Sequence, residues 1–523
     1  MNNIDQWILS AILLVPLAGA AVVALLPGGK DGSSKLPRWV ALLTALVTFV
    51  FTLHLPSHFH YGVPGFQFEV SVPWISSPAI SYHVGVDGLS LWLVVLTGLL
   101  APIGVLASWN VIQTRAKVFY ALFLVQQTAM FGVFVSLDLM LYYGFWELSL
   151  VPMAILIAMY GRKEGPKAAA KFFLFTFIPS APLLVAILWL YARTGTFNFA
   201  ELQSQIAGGA LPAGPLFWVA LAFLFAFAVK VPIFPLHGWL ADAFSEAPVA
   251  LAMVIAGKLG LYSMLRFHVA LFPVQATAIA PVLIALTVIG ILYGACLALV
   301  QRDFWRLIAF GTVGHFSLTT LGIYSLTLTG HTGAVYQTLN EGVMEGALFV
   351  LLGVLYSRYE SSQIAAFGGV AAKLPRTAVF FVITSLAMTG LPMLNGFIGE
   401  FLILSSTFTD VSKGWAIAAT VSVILGAAYT LWLVQRVFYG PESALATEKP
   451  AADLRWNEWI ALAPLAVLML VMGLAPGFWM PAIESAMKLA QLQRTSSMPA
   501  PNILRIDLPP LTVTMPGDKE ATR

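Results

Sequence analysis

Long apolar runs dominate the chain, and short polar connections separate them. Most runs hold roughly 17 to 25 residues, which is the length a helix needs to cross the hydrocarbon core of a bilayer. The runs cover residues 6–27, 38–55, 89–109, 117–135, 138–160, 168–192, 215–232, 247–268, 276–299, 306–327, 334–356, 378–406, 414–438 and 458–480. The pattern therefore predicts an all-α polytopic membrane protein with about 14 transmembrane helices.

The seventh and twelfth runs carry helix-breaking residues. Pro232 and Pro235 follow Lys230 closely, and the twelfth run contains Gly390-Leu391-Pro392. Proline removes a backbone donor and clashes with the preceding turn, so both helices should break there. Backbone groups freed inside a membrane need water or protein partners, which predicts a polar cavity at the break beside Lys230.

Two helices broken at corresponding places suggest an internal duplication. We expect two inverted five-helix repeats, helices 4–8 and 9–13. The expected units are residues 1–110 (helices 1–3, with a loop over 56–88), 111–270 (first repeat), 271–440 (second repeat) and 441–523 (helix 14 and a tail).

Composition agrees with a membrane protein and excludes several other classes. The chain is 59% hydrophobic and 10% charged, with a mean hydropathy of +0.86, whereas soluble domains carry about 25% charged residues. A net charge of +3 gives no argument for nucleic-acid binding. The single cysteine, Cys296, rules out an internal disulfide and any multi-cysteine iron–sulfur or zinc site within the chain.

Loop charges predict the orientation. Seventeen Lys and Arg residues of the loops fall on one side of the predicted membrane, against Arg193, Arg266 and Lys413 on the other. The positive side is cytoplasmic, so both termini should be periplasmic, with an exposed tail after Pro481. The loop 56–88 lacks Lys and Arg, and its alternating FQFEVSVPWI predicts a strand or hairpin.

Few ionisable residues remain inside the apolar runs. They are Glu147, Lys230, Lys258, His315, Glu341, Glu345 and Glu400, with His237 near the first break. Inserting one such side chain at the middle of the membrane costs roughly several kilocalories per mole of free energy, so such residues usually have a function. Acids and lysines along helices 5, 7, 8, 11 and 12 suit a proton relay, because titrating groups alternate with gaps that water can bridge.

Structural roles compete with the relay at each position. Glu147 could hold a neighbouring helix through a hydrogen bond, and Lys230 could extend its amine to the interface. Lys258 and Glu400 could form ion pairs without any transport role.

The remaining candidates differ in what they suggest. His315 could be satisfied by backbone groups, and His237 beside a bend is better explained by a structural role. Glu341 and Glu345 are spaced i, i+4 on one helix face, so we expect one of the two carboxyl groups to hold a proton.

Seven stretches of the chain carry a recognisable pattern: FWELSLVPMAILIAMYG, AVKVPIFPLHGWLADAFSEAP, GKLGLYSMLRF, QRDFWRLIAFGTVGHFS, GALFVLLGVLYSR, LPMLNGFIGEFLILSSTF and AAYTLWLVQRVFYG. With them the sequence resembles the antiporter-like membrane subunits of respiratory complex I, NADH:quinone oxidoreductase, and most of all the M-type subunit, the bacterial counterpart of mitochondrial chain 4. The resemblance extends from about residue 66 to 480, and GVDGLSLWLVVLT at 85–97 belongs to it.

The resemblance implies roles for several of these residues. It implies a pair between Glu147 and Lys230, and it places the helix-8 lysine, the helix-12 ionisable group and the helix-10 histidine at Lys258, Glu400 and His315. The implied activity is proton translocation by one subunit of a translocase, driven by quinone reduction elsewhere. Flavin, iron–sulfur clusters and quinone are then expected in partner subunits, with none in this chain. The expected surroundings are L-type and N-type antiporter-like subunits and the lipid of a bacterial cytoplasmic (inner) membrane.

The chain departs from the family pattern in its second half. A tryptophan, Trp305, stands where the family usually has a lysine, and Glu341 stands where it usually has a histidine. A second carboxylate, Glu345, follows one turn later. The interval from Glu246 to Lys258 looks about three residues short, nearly one helical turn, which leaves the depth and direction of Lys258 open.

Other functions remain open from the sequence. The same fold would serve a membrane-bound hydrogenase or a multi-subunit cation/proton antiporter. A standalone secondary transporter is a different class, and it would need a cluster of substrate-binding polar groups that the sequence does not show. The identity of the neighbouring subunits would separate these possibilities.

Overall fold

Thirteen helices in the described part of the chain are long and apolar enough to cross a membrane. The computed structural model describes residues 4–26, 35–63, 65–255, 258–448 and 451–497 of the 523-residue chain. The helices are Ile8–Leu25 (span 1), Leu36–His58 (span 2), Leu91–Ser108 (span 3), Ala116–Val135 (span 4), Leu139–Tyr160 (span 5), Gly165–Thr194 (span 6), Ala213–Lys230 (span 7), Val249–Val269 (span 8), Pro273–Val300 (span 9), Phe304–Tyr324 (span 10), Leu328–Tyr359 (span 11), Lys413–Phe438 (span 13) and Trp456–Leu474 (span 14).

The predicted twelfth crossing consists of two shorter helices. They are Pro375–Met388 and Asn395–Ser406, together called span 12. With them, all fourteen predicted crossings have a counterpart within a few residues of the predicted bounds. The predicted all-α membrane architecture is therefore confirmed.

Several short helices connect or extend the spans. They are Phe199–Ala207, Leu240–Glu246, Ala444–Glu448 and Met480–Ser497, with 3₁₀ turns at Ile364–Ala366, Val370–Ala372 and Pro476–Phe478 and π-helical turns at Met264–Val269 and Thr407–Val411.

The predicted strand in the 56–88 loop is also confirmed. Strand β1, Gln67–Ile75, pairs antiparallel with β2, Ile80–Val86. Asp138 at the start of span 5 accepts a hydrogen bond from the backbone N–H of Ser81, 3.0 Å away. This bond fixes the hairpin to the helical bundle.

Spans 5 and 10 begin with the same local structure. Asp138 and Asp303 each cap their helix by accepting hydrogen bonds from the second and third N–H groups that follow, which satisfies donors that a helix start leaves unpaired. Each aspartate also forms an isolated antiparallel bridge, Asp138 to Asn198 and Asp303 to Gln363. The residue numbers of the second motif exceed those of the first by 165 at both positions (303 against 138, 363 against 198).

Span 7 breaks where the prolines predict it should. Its helix ends at Lys230, and a short helix resumes at Leu240. The break frees backbone carbonyls inside the bundle, and the buried Trp239 donates its indole N–H to one of them, the carbonyl of Val229, at 2.9 Å. This contact makes the break a defined structure.

Span 12 breaks between Met388 and Asn395. The side chain of Asn340 in span 11 donates to the backbone carbonyl of Asn395 at 2.7 Å, and the Asn395 side chain donates back to the Asn340 carbonyl at 3.4 Å. A reciprocal pair of bonds thus ties the break to span 11.

Span 11 lies at the centre of the bundle. The apolar stretch of span 11 is completely buried, whereas the apolar stretch of span 13 is only 28% buried. Ionisable side chains on span 11 are therefore surrounded by protein, which is where a membrane protein can hold them.

The residues after span 14 differ from expectation. In place of an exposed tail, Met480–Ser497 forms a helix that packs against the bundle. Ala482, Ile483 and Met487 are buried, and Arg494 donates to the backbone carbonyl of Leu326 at 2.6 Å. These three apolar residues recur at helical spacing and give this helix a face to bury. The tail beyond residue 497 lies outside the described residues.

Candidate functional site

Lys258 and Glu345 form a buried ion pair between spans 8 and 11. The Lys258 Nζ lies 2.9 Å from Glu345 Oε2, and the two side chains are 3% and 2% exposed. Thr312 of span 10 donates its hydroxyl to the other carboxylate oxygen at 3.0 Å. Both oxygens of Glu345 thus have partners, as a buried charge requires.

Glu341 lies one turn before Glu345 and is bonded differently. Thr319 donates its hydroxyl to Glu341 Oε1 at 2.7 Å. The second oxygen, Oε2, is buried and has no hydrogen-bond partner among the described residues. An unpaired oxygen on a fully buried carboxyl group can accept or carry a proton without breaking an existing ion pair.

The Lys230 amine lies inside a pocket of span 5 and span 6 side chains. It donates to the Ser149 hydroxyl at 3.4 Å and lies 5.3 Å from the centre of the Trp146 ring. Glu147 is near enough to interact with the Lys230 charge, but the two make no ion pair within 4.0 Å. One oxygen of Glu147 is buried without a hydrogen bond, so a bridging group or a small movement would connect the acid to the amine.

His315 and Glu400 meet beside the break in span 12. The His315 Nδ1 lies 3.7 Å from Glu400 Oε1, and Tyr429 of span 13 lies 3.4 Å from the other ring nitrogen. All three line a small cavity of about 20 Å³, room for roughly one water molecule, that reaches Thr389 in the break. The break in span 12 therefore borders a small space that polar side chains line, whereas the sequence predicted a polar cavity at the other break, beside Lys230.

Gly390 makes room for the Glu400 carboxylate. A β-carbon at this position would lie 2.5 Å from Glu400 Oε2, and the backbone has a φ of +67°. Both the close approach and the left-handed backbone favour glycine.

Two further glycines bring the clusters close together. Gly260 lies so near Val231 that a β-carbon would be 3.1 Å from the Val231 backbone nitrogen. Span 8 therefore packs directly on the break in span 7, two residues after Lys258. A β-carbon on Gly342 would lie 3.0 Å from Lys258 Cε and 2.4 Å from Leu96 Cδ2, so this glycine leaves the space that the lysine stem occupies.

The structure groups the predicted site residues into three clusters. They are Glu147 with Lys230, Lys258 with Glu341 and Glu345, and His315 with Glu400. His237 stays outside them: its ring packs on Phe234 and Tyr293 at centroid distances of 5.8 and 5.2 Å. The structural interpretation of His237 therefore agrees with its surroundings.

Trp305 has a packing role at the start of span 10. It is buried, and the Arg162 guanidinium lies 4.0 Å from the centre of its ring. Where the family usually has a cation, this chain thus has an aromatic surface that holds a cation from another loop.

Sequence reasoning missed the hydroxyl groups of span 10. Thr312 and Thr319 hold the two carboxylates of span 11. They lie on one helix face with His315, at i, i+3 and i+7, so a polar stripe in an apolar run was the available signal. Arg266, counted from the sequence among the charges opposite the basic loops, has a buried side chain that lies 2.5 Å from Asp87, just after strand β2.

Among the described residues, no group of three or more His, Cys, Asp or Glu side chains is placed to hold a metal ion. The chemistry that the three clusters support is proton binding and transfer between carboxyl, amine and imidazole groups.

Residues 136–426 match the family described as NADH:quinone oxidoreductase/Mrp antiporter, and residues 38–142 match the amino-terminal family of NADH-ubiquinone oxidoreductase chain 4. The chain is 39% identical over 484 residues to NADH-quinone oxidoreductase subunit M of Rhodobacter capsulatus, covering 90% of this chain and 94% of the relative.

Solved structures give the same result. A chain in the structure of respiratory complex I from Thermus thermophilus with bound NADH is 31% identical, with a TM-score of 0.83 over 94% of this chain and 100% of that chain. A chain of the archaeal membrane-bound sulfane sulfur reductase shares the fold, with a TM-score of 0.81 at 20% identity over 90% of this chain and 76% of that one. The chain therefore belongs to the antiporter-like membrane subunits of the NADH:quinone oxidoreductase/Mrp family, in the group of complex I M subunits.

Proposed function

We propose that this chain is a proton-translocating membrane subunit of an NADH:quinone oxidoreductase, driven by quinone reduction in other subunits. The observation that carries the proposal is the buried pair of Lys258 and Glu345 beside the unpaired oxygen of Glu341. Buried ionisable groups of this density are costly in a membrane unless they are used.

In this proposal the three clusters act in series. Moving Glu147 toward or away from Lys230 changes the proton affinity of the amine, because a nearby carboxylate favours the charged lysine and burial opposes it. A proton then passes to the Lys258, Glu345 and Glu341 cluster, with water bridging the gap, and onward to His315 and Glu400. Ser149 and Thr319 provide hydroxyl groups that can donate and accept along the way.

The proposed surroundings follow from the family. Flavin, iron–sulfur clusters and quinone belong to partner subunits, and the direct membrane neighbours are the L-type and N-type antiporter-like subunits. We place the chain in a bacterial cytoplasmic membrane with both termini on the periplasmic side, since loops rich in Lys and Arg face the cytoplasm.

We also propose that spans 4–8 and 9–13 are inverted repeats, with units at residues 1–110, 111–270, 271–440 and 441–523. Support comes from the twin motifs at Asp138 and Asp303, which share a cap, a bridge and a constant offset. Spans 5 and 10 are five crossings apart, so their starting points lie on opposite sides of the membrane. The same offset of 165 residues relates Glu147 of the first half to Thr312 of the second half. The first half therefore has an acidic side chain at a position where the second half has a neutral one.

The proposal is tested by replacing Glu147 with glutamine in the assembled complex. Glu147→Gln keeps the shape and removes the titrating group, so proton pumping should fall on the order of tenfold or more, with assembly unchanged. Lys230→Met should behave similarly. Glu201→Gln, an exposed acid in the helix Phe199–Ala207, is the matched control and should pump normally. Normal pumping in Glu147→Gln would overturn the relay.

The subunits that co-purify with the chain test the assembly. Flavin- and cluster-binding subunits are expected. A set of small antiporter subunits without redox cofactors would instead favour a cation/proton antiporter, the second function that the matching family includes.

A further inference from the structure

A charged vestibule opens beside the break in span 7. It has a volume of about 330 Å³, far more than one water molecule needs. The start of span 6, the short helix Leu240–Glu246 and the start of span 10 enclose it, and its charged lining residues are Glu164, Lys167, Lys171, Asp242, Glu246 and Arg306. The side chains of Glu164 and Lys167 are 65% and 85% exposed. The vestibule is therefore open to solvent.

Asp242 of the short helix has two cationic partners in the vestibule. Its two carboxylate oxygens lie 2.6 Å from Lys171 Nζ of span 6 and 3.2 Å from Arg306 Nη1 of span 10. The three side chains are 35%, 38% and 44% exposed. One hydrated carboxylate thus connects the short helix after the break to both spans.

Span 6 and the short helix make a series of contacts that leads inward. At the outer end, the backbone N–H of Glu164 donates to Glu246 Oε2 at 3.0 Å. The ion pair of Asp242 with span 6 comes next. At the inner end the Phe172 and Trp239 rings lie 5.2 Å apart, and both are fully buried. Residue numbers rise along span 6 as they fall along the short helix, so the two segments are antiparallel and the aromatic pair closes the inner end.

The aromatic pair separates the vestibule from the Lys230 amine. Lys230 is buried, and its Nζ lies 5.8 Å from the centre of the Phe172 ring. The Trp239 ring is fixed by its hydrogen bond to the Val229 carbonyl, whereas Phe172 has no polar atom and is held by packing alone. A constriction of apolar rings excludes water, and a proton needs a chain of hydrogen bonds to cross it.

We infer that Phe172 and Trp239 form a gate between the vestibule and Lys230, and that movement of the Phe172 ring admits water. This gate rests on the proposed proton route through Lys230, and it makes the vestibule the side from which Lys230 receives a proton. Lys171 adjoins Phe172 in span 6, and Asp242 lies nearly one turn after Trp239. The ion pair between Lys171 and Asp242 therefore fixes the spacing of the two rings, and loosening it gives Phe172 room to turn.

Thiol labelling of the purified, assembled complex tests the gate. Cys296→Ser removes the only cysteine of the chain. Single cysteines are then placed in the vestibule, as Ser245→Cys, and behind the gate, as Ser149→Cys, where the native hydroxyl lies 3.4 Å from Lys230 Nζ. The reagent is sulfonatoethyl methanethiosulfonate, whose charge confines it to hydrated paths. It should modify Ser245→Cys readily and Ser149→Cys slowly.

Removing the Phe172 ring should open the path. Phe172→Ala should speed the labelling of Ser149→Cys on the order of tenfold or more and leave that of Ser245→Cys unchanged. Phe172→Leu retains more apolar volume and should give a smaller increase, which keeps the gate testable if the alanine variant assembles poorly. Phe175→Ala, at a position of span 6 that is 38% exposed, is the matched control and should change neither rate.

Three results would overturn the gate. Rapid labelling of Ser149→Cys with Phe172 in place would show that there is no barrier. Slow labelling that neither Phe172 variant changes would show that water reaches Lys230 by another path, and an unreactive Ser245→Cys would show that the vestibule is closed. Labelling measures access and does not measure pumping, so these results are independent of the Glu147→Gln pumping test, whose failure would overturn the relay and leave the barrier measurable.

Discussion

Glu341 and Glu345 lie on the same helix face, but their carboxyl groups have different bonding partners. Glu345 has both oxygens bonded, one to Lys258 and one to Thr312. Glu341 has one bond, from Thr319, and a free oxygen. Of the two carboxyl groups, Glu345 is thus suited to holding the lysine and Glu341 to exchanging a proton.

Substituting each glutamate by glutamine separates these roles. Glu345→Gln leaves the Lys258 charge buried without its partner, which costs about 3–5 kcal/mol, so the amount of assembled complex should fall. Glu341→Gln breaks no ion pair and should assemble at the wild-type level while pumping is strongly reduced. Complex yield on native gels and proton uptake by vesicles measure the two effects. Equal yields for both variants with normal pumping would contradict this division.

Gly342 offers a second residue-scale prediction. In Gly342→Ala the added methyl group would lie 2.4 Å from Leu96 Cδ2 and 3.0 Å from Lys258 Cε. Overpacking of this kind costs about 1–3 kcal/mol and should displace the lysine, which lowers pumping. Gly144→Ala in span 5 is the control, because nothing lies within 4 Å of its added methyl group. If both variants pump alike, the space at Gly342 has no role in placing Lys258.

At the scale of elements, the breaks in the helices could be predicted from the sequence, but the side chains that bond to the freed backbone groups could not. Pro232 and Pro235 show from sequence that span 7 must stop near Lys230, since proline cannot continue the hydrogen-bond ladder. The local sequence does not show that the Trp239 indole donates a hydrogen bond to the Val229 carbonyl. That bond depends on how the chain folds back after the break. The hydrogen bond at the break in span 12 could not be predicted for the same reason, because Asn340 and Asn395 are far apart in sequence.

The Trp239 contact can be tested directly. Trp239→Phe removes the N–H and leaves the Val229 carbonyl buried without that partner, which costs about 1–3 kcal/mol. The break should become less well defined, so the yield of assembled complex and its proton pumping should both decrease. Trp218→Phe, at an exposed position in span 7, should have neither effect. A Trp239→Phe complex with normal yield and pumping would show that the break holds without this bond.

The pairing within the site was only partly accessible from the sequence. The ionisable residues could be found because each interrupts an apolar run, and the crossings could be counted because hydrocarbon thickness fixes their length. The partner of Lys258 could not, because Glu345 is 87 residues away and the packing of spans 8 and 11 selects it over Glu341. The short interval between Glu246 and Lys258 left the direction of the lysine side chain open. The packing of spans 8 and 11 sets that direction too.

At the scale of the whole molecule, polar contacts hold the last part of the chain onto the bundle. Asp453, in the connection before span 14, accepts hydrogen bonds from the Arg376 and Thr377 backbone N–H groups at 2.8 and 3.2 Å. These groups begin span 12, so Asp453 caps that helix from a distant part of the chain. Beside it, Arg358 at the end of span 11 pairs with Glu458 of span 14 at 2.5 Å.

The Asp453 cap predicts a dependence of stability on pH. Burial alone would raise the pKa of Asp453, but hydrogen bonds from Thr377, Arg376 and Leu454 outweigh it and lower the pKa below its ordinary value of 3.8. Because the pKa is lower in the folded protein, the carboxylate stabilises it fully above the ordinary value, and this contribution is lost as the pH falls through the folded value.

Asp453→Asn should therefore lower the Tm of the purified complex at pH 7 by a small amount, on the order of a few degrees. The difference from wild type should shrink as the pH falls below about 4, because the wild-type carboxyl group then becomes neutral as well. Asp410→Asn changes an exposed acid at the end of span 12 and should match wild type throughout. A Tm difference that stays constant across this range would mean that Asp453 acts through its shape alone. The charge would then have no part in fixing span 12 to the connection that leads into span 14.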